Sequence, residues 1–330
     1  MKSWMQWLIA AGIALTCVVV SVGVGAFPLT VAQMIGLIFH PGEISQAPEP
    51  GIVFWQIRLP RIAAALLIGA GLSAAGAAYQ GIFRNPLVSP DILGVSAGAG
   101  LGASLAILLE MPVIAIQAFA FVGGLVVVTL ATGIARMARR HDAVLSLVLV
   151  GIALGALCGA AISLIKVISD PYTQLPTITF WLLGSLSAIT RGDLMTAGAG
   201  IIAGLMPLLL LRWRVNLLSL PDEEAQALGV NVTRIRVLFI VCATLVTASA
   251  VAVAGVIGWV GLVVPHICRL LVGANYLRLL PLSLFCGGLF LLLTDTLART
   301  LGAIELPLGI LTSFTGAPFF LLLLLRGGRR

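Results

Sequence analysis

Hydropathy divides this chain before any motif does. Apolar segments of spanning or near-spanning length fall at about 4–27, 62–82, 92–109, 113–135, 143–167, 193–211, 235–255, 257–271, 279–297 and 306–325. About 20 such residues cross the hydrocarbon core as a helix, the one single-segment structure that satisfies its own backbone groups in lipid. Ten of them in 330 residues leave room for little else. The expectation is an all-α polytopic membrane protein of about ten transmembrane helices, folded as a single domain over 1–330. Composition leads the same way, with 60% of residues hydrophobic and 9% charged, where a soluble domain carries about 25% charged. The first run, Trp4 to Phe27, spans 24 residues. It outlasts the roughly 7–15 residues of a signal h-region and reads as the first span, not a cleaved leader.

Charge placement gives the orientation. With the N-terminus inside, the cytoplasmic connections hold fourteen of the nineteen basic residues: Lys2, Arg84, Arg136, Arg139, Arg140, Arg212, Arg214, Arg234, Arg236, Arg269, Arg278, Arg326, Arg329 and Arg330. The opposite side holds Arg58, Arg61, Lys166, Arg191 and Arg299. The positive-inside rule favours this arrangement, and an even number of spans then places both termini in the cytoplasm. Small residues recur at four-residue spacing in Gly94, Gly98 and Gly102 and in Gly69, Ser73 and Ala77. Such faces let helix backbones approach closely in lipid, and they speak for packing, not for a substrate.

Several chemistries lack their residues. The only lysines, Lys2 and Lys166, follow no phosphate-loop glycine pattern, so the chain is not expected to bind or hydrolyse ATP itself. His40, His141 and His266 are isolated, and Cys17, Cys158, Cys242, Cys268 and Cys286 sit singly in apolar runs. Neither set suggests a metal site, a disulfide framework or a hydrolase. Ion-driven transport needs ionisable groups deep in the bilayer. The candidates, Asp295 and Glu305, fall near helix ends, which leaves a secondary transporter as a weaker reading and a non-transporting scaffold as another.

The connection after the sixth span carries a more specific signal. Ser219 three residues before Asp222 resembles an N-cap box, Pro221 suits a first turn, and Gly229 suits a C-cap. A short helix over about 220–229 is expected, acidic at Asp222, Glu223 and Glu224, as the helix dipole favours, and apolar along Ala225 and Leu228. A stiff amphipathic helix of this kind can sit in a partner's groove.

The stretch Glu224-Ala225…Ala227-Leu228-Gly229 resembles the coupling loop of ABC importer permeases. Four further blocks resemble the type II family that imports iron chelates (siderophores), haem and cobalamin. They are Arg58-Leu-Pro-Arg61, the run Gln80 to Ala99 with its Asn85-Pro-Leu and Leu93-Gly-Val, Gly258 to Arg269 with its Val264-Pro-His, and Glu305 to Phe320. The resemblance extends nearly end to end. It implies two permease subunits, identical or paired with a relative, beneath a periplasmic binding protein and above two cytoplasmic ATPases. ATP and magnesium would bind those ATPases, with no cofactor in this chain and no nucleic acid partner. It places the chain in a bacterial or archaeal inner membrane.

Residue by residue, the resemblance implies binding-protein docking by Arg58, Arg61 and Arg299, whose guanidinium forks suit carboxylates. It implies ATPase coupling by Asp222, Glu223, Glu224, Ala225, Leu228 and Gly229. The path would run along Leu147–Ile165 and Pro307–Phe320, where Ser163, Thr312, Ser313 and Thr315 are the polar groups. Asn275, Tyr276 and Leu277 stand where the family commonly has Asp-His-Arg, which puts an ion pair there in question. Pro265 and His266 are expected at a helix break before Arg269. The cargo expected is a metal chelate, a ferric siderophore first, with haem, cobalamin or molybdate as alternatives.

Overall fold

The computed structural model describes residues 3–39, 48–86, 88–137, 143–218, 220, 222–229, 231–302 and 304–327. Ser219, Pro221, Leu87, His40, His141, Lys2, Arg139, Arg140, Arg329 and Arg330 lie outside the described residues. The described part is all helix and connection. Fourteen helices run α1 (Ser3–Gly23), α2 (Val31–Phe39), α3 (Glu49–Ile82), α4 (Val95–Leu108), α5 (Val113–Met137), α6 (Ala143–Ile168), α7 (Gln174–Leu183), α8 (Arg191–Leu210), α9 (Arg212–Leu218), α10 (Asp222–Ala227), α11 (Val232–Ala254), α12 (Val260–Val272), α13 (Tyr276–Ala298) and α14 (Leu308–Gly327). Each of the ten expected apolar segments coincides with one of α1, α3, α4, α5, α6, α8, α11, α12, α13 and α14. Six of these are long and apolar enough to cross a membrane, namely α3, α5, α6, α8, α11 and α13. The other four carry shorter apolar stretches, Leu8–Gly23, Val95–Leu108, Val260–Val272 and Leu308–Leu322. The remaining helices α2, α7, α9 and α10 are connecting pieces too short to register as spans.

Burial sorts the long helices. The most apolar windows of α3 and α11 are 78% and 72% buried, against 22% for α5 and 17% for α6. Thus α3 and α11 form the axis of the bundle, while α5 and α6 turn much of their apolar surface outward. Helix α13 packs along α3, α4 along α5, and α8 along α11.

The small residues make these contacts possible. A Cβ added at Gly69 would stand 2.3 Å from the Gly287 carbonyl oxygen, and one added at Gly98 would stand 2.4 Å from that of Gly123. Backbone meets backbone at both crossings, which only glycine permits. Gly94, the first of its series, instead occupies a left-handed turn with φ +81° at the start of α4.

Proline behaves differently from expectation at one place. Helix α12 runs continuously through Pro265 and His266 to Val272, so the break expected before Arg269 is absent. The irregular backbone comes earlier, at Trp259, whose φ is +71° and which precedes the first residue of α12. Pro265, the sixth residue of α12, gives up one intrahelical bond, that to the Gly261 carbonyl, without ending the helix.

Candidate functional site

Arginines separate toward the two ends of the bundle. At one end, Arg58, Arg61 and Arg299 line a single cavity of about 640 Å³ with Gly25, Phe27 and Glu305. Nearby, Arg191 donates to the Trp55 carbonyl at 2.8 Å. At the other end, Arg84 reaches Leu218, Arg136 and Arg236 share one cavity, and Arg214 and Arg234 share another. Of the five basic residues that the sequence set apart from the rest, Arg58, Arg61, Arg191 and Arg299 gather at the first end.

Local structure explains the first cluster. Over Val53–Arg58 the long α3 widens into a π-helix before resuming as α-helix at Leu59. The wider turn carries Arg58, and Arg61 follows three residues later, so both side chains enter the protein. They are 4% and 5% exposed. Arg61 is fully engaged within its own chain. Its Nε lies 2.9 and 3.1 Å from the two carboxylate oxygens of Asp295, its Nη2 lies 2.9 Å from Asp295 Oδ1, and its Nη1 lies 3.0 Å from Glu305 Oε1.

Arg299, which caps α13, adds a second cation to Asp295. Its Nε stands 3.3 Å from Oδ2, an ion-pair contact without hydrogen-bond direction, while Nη2 donates to the Ser21 hydroxyl at 2.9 Å and to its carbonyl at 3.1 Å. Desolvation pulls the Arg299 guanidinium below its ordinary pKa, and the Asp295 carboxylate pulls it back up. Arg58 has carbonyl partners, that of Val22 in the last turn of α1 and that of Phe27 in the connection after it. Two of the three guanidinia share the two carboxylates, and Arg58 leaves one positive charge in excess. Asp295 is fully buried and central; Glu305, with 45% of its side chain exposed, is the rim.

This geometry revises how the arginines work. Expected as free forks facing outward, Arg61 and Arg299 hold α1, α3, α13 and the segment before α14 together. Removing water from an ion pair is costly, so such a cluster persists only where the charges are closely matched. Asp295 and Glu305, set aside in the sequence as helix-end residues, are their partners. No local pattern signals this, since Arg61 and Asp295 are 234 positions apart.

At the opposite end, α10 covers Asp222–Ala227, shorter than the expected 220–229. Gly229 ends it as expected: its φ is +79°, and its amide donates to the Gln226 carbonyl at 2.9 Å. Glu223 and Glu224 are exposed. The apolar face is split, however. Ala225 is fully buried against the chain itself, while Leu228, beyond the last helical residue, is 63% exposed.

One residue that the sequence showed only as a loop charge holds this region in place. Arg84, at φ +50°, donates from Nε to the Leu218 carbonyl at 2.6 Å and from Nη2 to that of Leu220. It clasps the end of α3 to the segment between α9 and α10. At the loop before α13, the questioned ion pair is replaced by amides. Asn216 Nδ2 donates to Asn275 Oδ1 at 3.1 Å, and the Tyr276 amide donates to Asn216 Oδ1 at 2.8 Å.

Of the four expected path residues, Ser163, Ser313 and Thr315 lie on exposed faces of α6 and α14. Thr312 does not: it is fully buried on the side of α14 that abuts Leu183, so it lines no open surface of this chain. All four hydroxyls bond carbonyls of their own helices, at 2.9 Å for Ser163 and Thr315, 2.6 Å for Ser313 and 3.2 Å for Thr312. Among the described residues no group of three His, Cys, Asp or Glu side chains is placed to hold a metal ion.

Comparison with known proteins places this arrangement. Residues 13–326 match the FecCD transport family. A probable iron chelatin transport system permease protein of Helicobacter pylori is 47% identical over 87% of this chain and 86% of its own length. The molybdate import system permease protein MolB of Haemophilus influenzae is 39% identical over 94% and 93%. In three dimensions, a metal-chelate type ABC transporter in an inward-facing conformation superposes with a TM-score of 0.86 at 38% identity, covering 96% of this chain and 99% of that one.

Proposed function

This chain belongs to the FecCD transport family, and on that premise we propose that it moves a ferric chelate across the inner membrane, from periplasm to cytoplasm. It is a multi-pass permease of the ABC importers for iron chelates, haem, cobalamin and molybdate. The observation that carries the iron reading is the 47% identity to an iron chelatin permease along nearly the whole chain.

In this reading a periplasmic binding protein delivers the chelate, and two cytoplasmic ATPases power its passage through a pair of permeases. The arginine cluster would face the periplasm. Its excess positive charge and open cavity suit an incoming carboxylate, with Arg58 as the cation that has only carbonyl partners. Docking would then act on Arg58, Arg61 and Arg299 as a preassembled unit, favouring orientation and rate over raw affinity. Exposed Glu223, Glu224 and Leu228 would meet the ATPase, and Arg84 would carry its motion to α3. The outward apolar faces of α6 and α14, which carry Ser163, Ser313 and Thr315 as exposed hydroxyls, offer a wall along which a bulky chelate slides.

Uptake of radiolabelled iron, supplied as a panel of ferric chelates, tests the reading in a deletion strain and its complemented parent. Loss of uptake of one chelate, restored by the gene, supports it. A molybdate deficit with iron uptake intact overturns the cargo and leaves the permease class standing.

A further inference from the structure

The cavity at the loop end, about 320 Å³, opens between α9 and the first turn of α11 and is lined by Trp213, Arg214, Leu228, Asn231 and Arg234. No carboxylate lines it among the described residues. The Arg214 guanidinium carbon stands 5.2 Å from the centre of the Trp213 ring, and its Nε is buried without a hydrogen-bond partner. The ring holds the cation while leaving this one donor unsatisfied. Arg234 is fixed through its backbone, whose amide donates to the Asn231 side chain at 3.0 Å and caps α11. The N-terminus of this 23-residue helix adds positive potential at the same place. Two cations, an unsatisfied donor and a helix dipole thus converge on one opening.

What surrounds the opening identifies the occupant. Along α8 and α9, Ile202, Met206, Leu210 and Trp213 form an exposed apolar stripe that ends at the cavity. Along α11, Leu238 and Val241 continue the exposed side that Arg234 begins. An anion that reaches this cavity together with two apolar strips is an amphiphile. A tryptophan at the junction of polar and apolar surface is what a membrane interface favours, and basic pockets between helices on the cytoplasmic side suit lipid headgroups.

We propose that this cavity binds the phosphate of an anionic phospholipid from the adjoining leaflet, with Arg214 and Arg234 on the phosphate and the acyl chains along the α8–α9 and α11 stripes. The site is independent of which solute is carried. It places a headgroup next to the end of α10, so that leaflet composition bears on the element that faces the cytoplasmic partner.

Native mass spectrometry of the purified importer complex, with phosphatidylglycerol or phosphatidylcholine added, tests this. The wild type should retain phosphatidylglycerol, and the Arg214→Gln/Arg234→Gln pair should lose it by roughly tenfold or more. Phosphatidylcholine should bind equally weakly to both, and Arg278→Gln should match the wild type. The charge-preserving Arg214→Lys/Arg234→Lys pair should recover much of the binding, because part of the attraction is to charge alone. Unchanged phosphatidylglycerol retention in the glutamine pair overturns the proposal. So does loss of the co-purifying ATPase with lipid retention intact, which would make these arginines protein contacts. Displacement of the lipid by millimolar inorganic phosphate would make the site one for free phosphate. Should the glutamine pair fail to assemble, the wild type's melting temperature decides. A rise with phosphatidylglycerol but not phosphatidylcholine or phosphate supports the site, and equal rises with both lipids overturn it.

Discussion

At one end of the bundle Arg61 and Arg299 close on Asp295 inside the protein, whereas at the other Arg214 and Arg234 open onto a cavity that no carboxylate lines among the described residues. The first end joins helices far apart in sequence and hides its charges. The second is built of the short helices α9 and α10 and leaves Glu223, Glu224, Leu228 and Arg234 exposed. The same residue type thus serves cohesion in one place and contact in the other. What decides is the company: a buried cation needs carboxylates or carbonyls around it, whereas an exposed one is screened by water and is free to meet a partner.

The contrast is sharpest in its energetic consequences. Asp295→Ala should be the most damaging change, because it leaves Arg61 and Arg299 buried without their central anion. Breaking a buried pair from one side costs about 3–5 kcal/mol, which denaturant unfolding in detergent would register. A loss below about 1 kcal/mol would mean that water already screens the cluster, and the two ends would no longer differ in kind. Pairing Arg61→Gln with Asp295→Asn should cost less than the sum of the single changes, since residues in one ion-pair network couple.

Next in size is the crossing of α3 and α13, two turns deeper than Arg61. A Cβ added at Gly287 would stand 2.4 Å from the Gly69 carbonyl oxygen. Gly287→Ala should therefore cost about 1–3 kcal/mol by overpacking. Gly133→Ala, where nothing lies within 4 Å, serves as the control and should be neutral or slightly stabilising. Equal behaviour of the two would show that the crossing yields easily and that the charge cluster alone locks this end. Glu305→Gln comes below both, at about 1 kcal/mol or less, because the carboxylate is half-exposed and water takes over its role.

These contrasts also mark what the sequence could and could not reveal. The ten apolar segments were legible because hydropathy is a local property, and each one became a helix. The connecting helices α2 and α7 were not, since nine or ten apolar residues look alike whether they lie in a span or between spans. Gly229 was legible as a left-handed cap because only its own backbone was at issue. The partnership of Arg61 with Asp295 was invisible because it depends on how α3 and α13 meet. The Arg84 clasp was hidden for the same reason: its acceptors are backbone carbonyls, which every residue carries. Thr312 was assigned to an open face because its polarity could be read from the sequence, whereas which side of α14 meets Leu183 could not.

The smallest change in stability should accompany the largest change in transport, and this sets the two ends apart most cleanly. Leu228 is 63% exposed just beyond the last turn of α10, so Leu228→Asp should alter stability by no more than about 0.5 kcal/mol. Ala225, three residues earlier, is fully buried, and Ala225→Asp would place a charge inside the chain and destabilise it. If the exposed face of this segment is where an ATPase grips, Leu228→Asp should abolish uptake while the protein stays folded, and Ala225→Asp should lower the amount of folded protein in step with uptake. Measuring expression, melting temperature and uptake for both variants separates the two effects. Undiminished uptake with Leu228→Asp would remove this segment from the coupling path. The capped turn at Gly229 would then be a connector, and the coupling contact would have to lie outside α10.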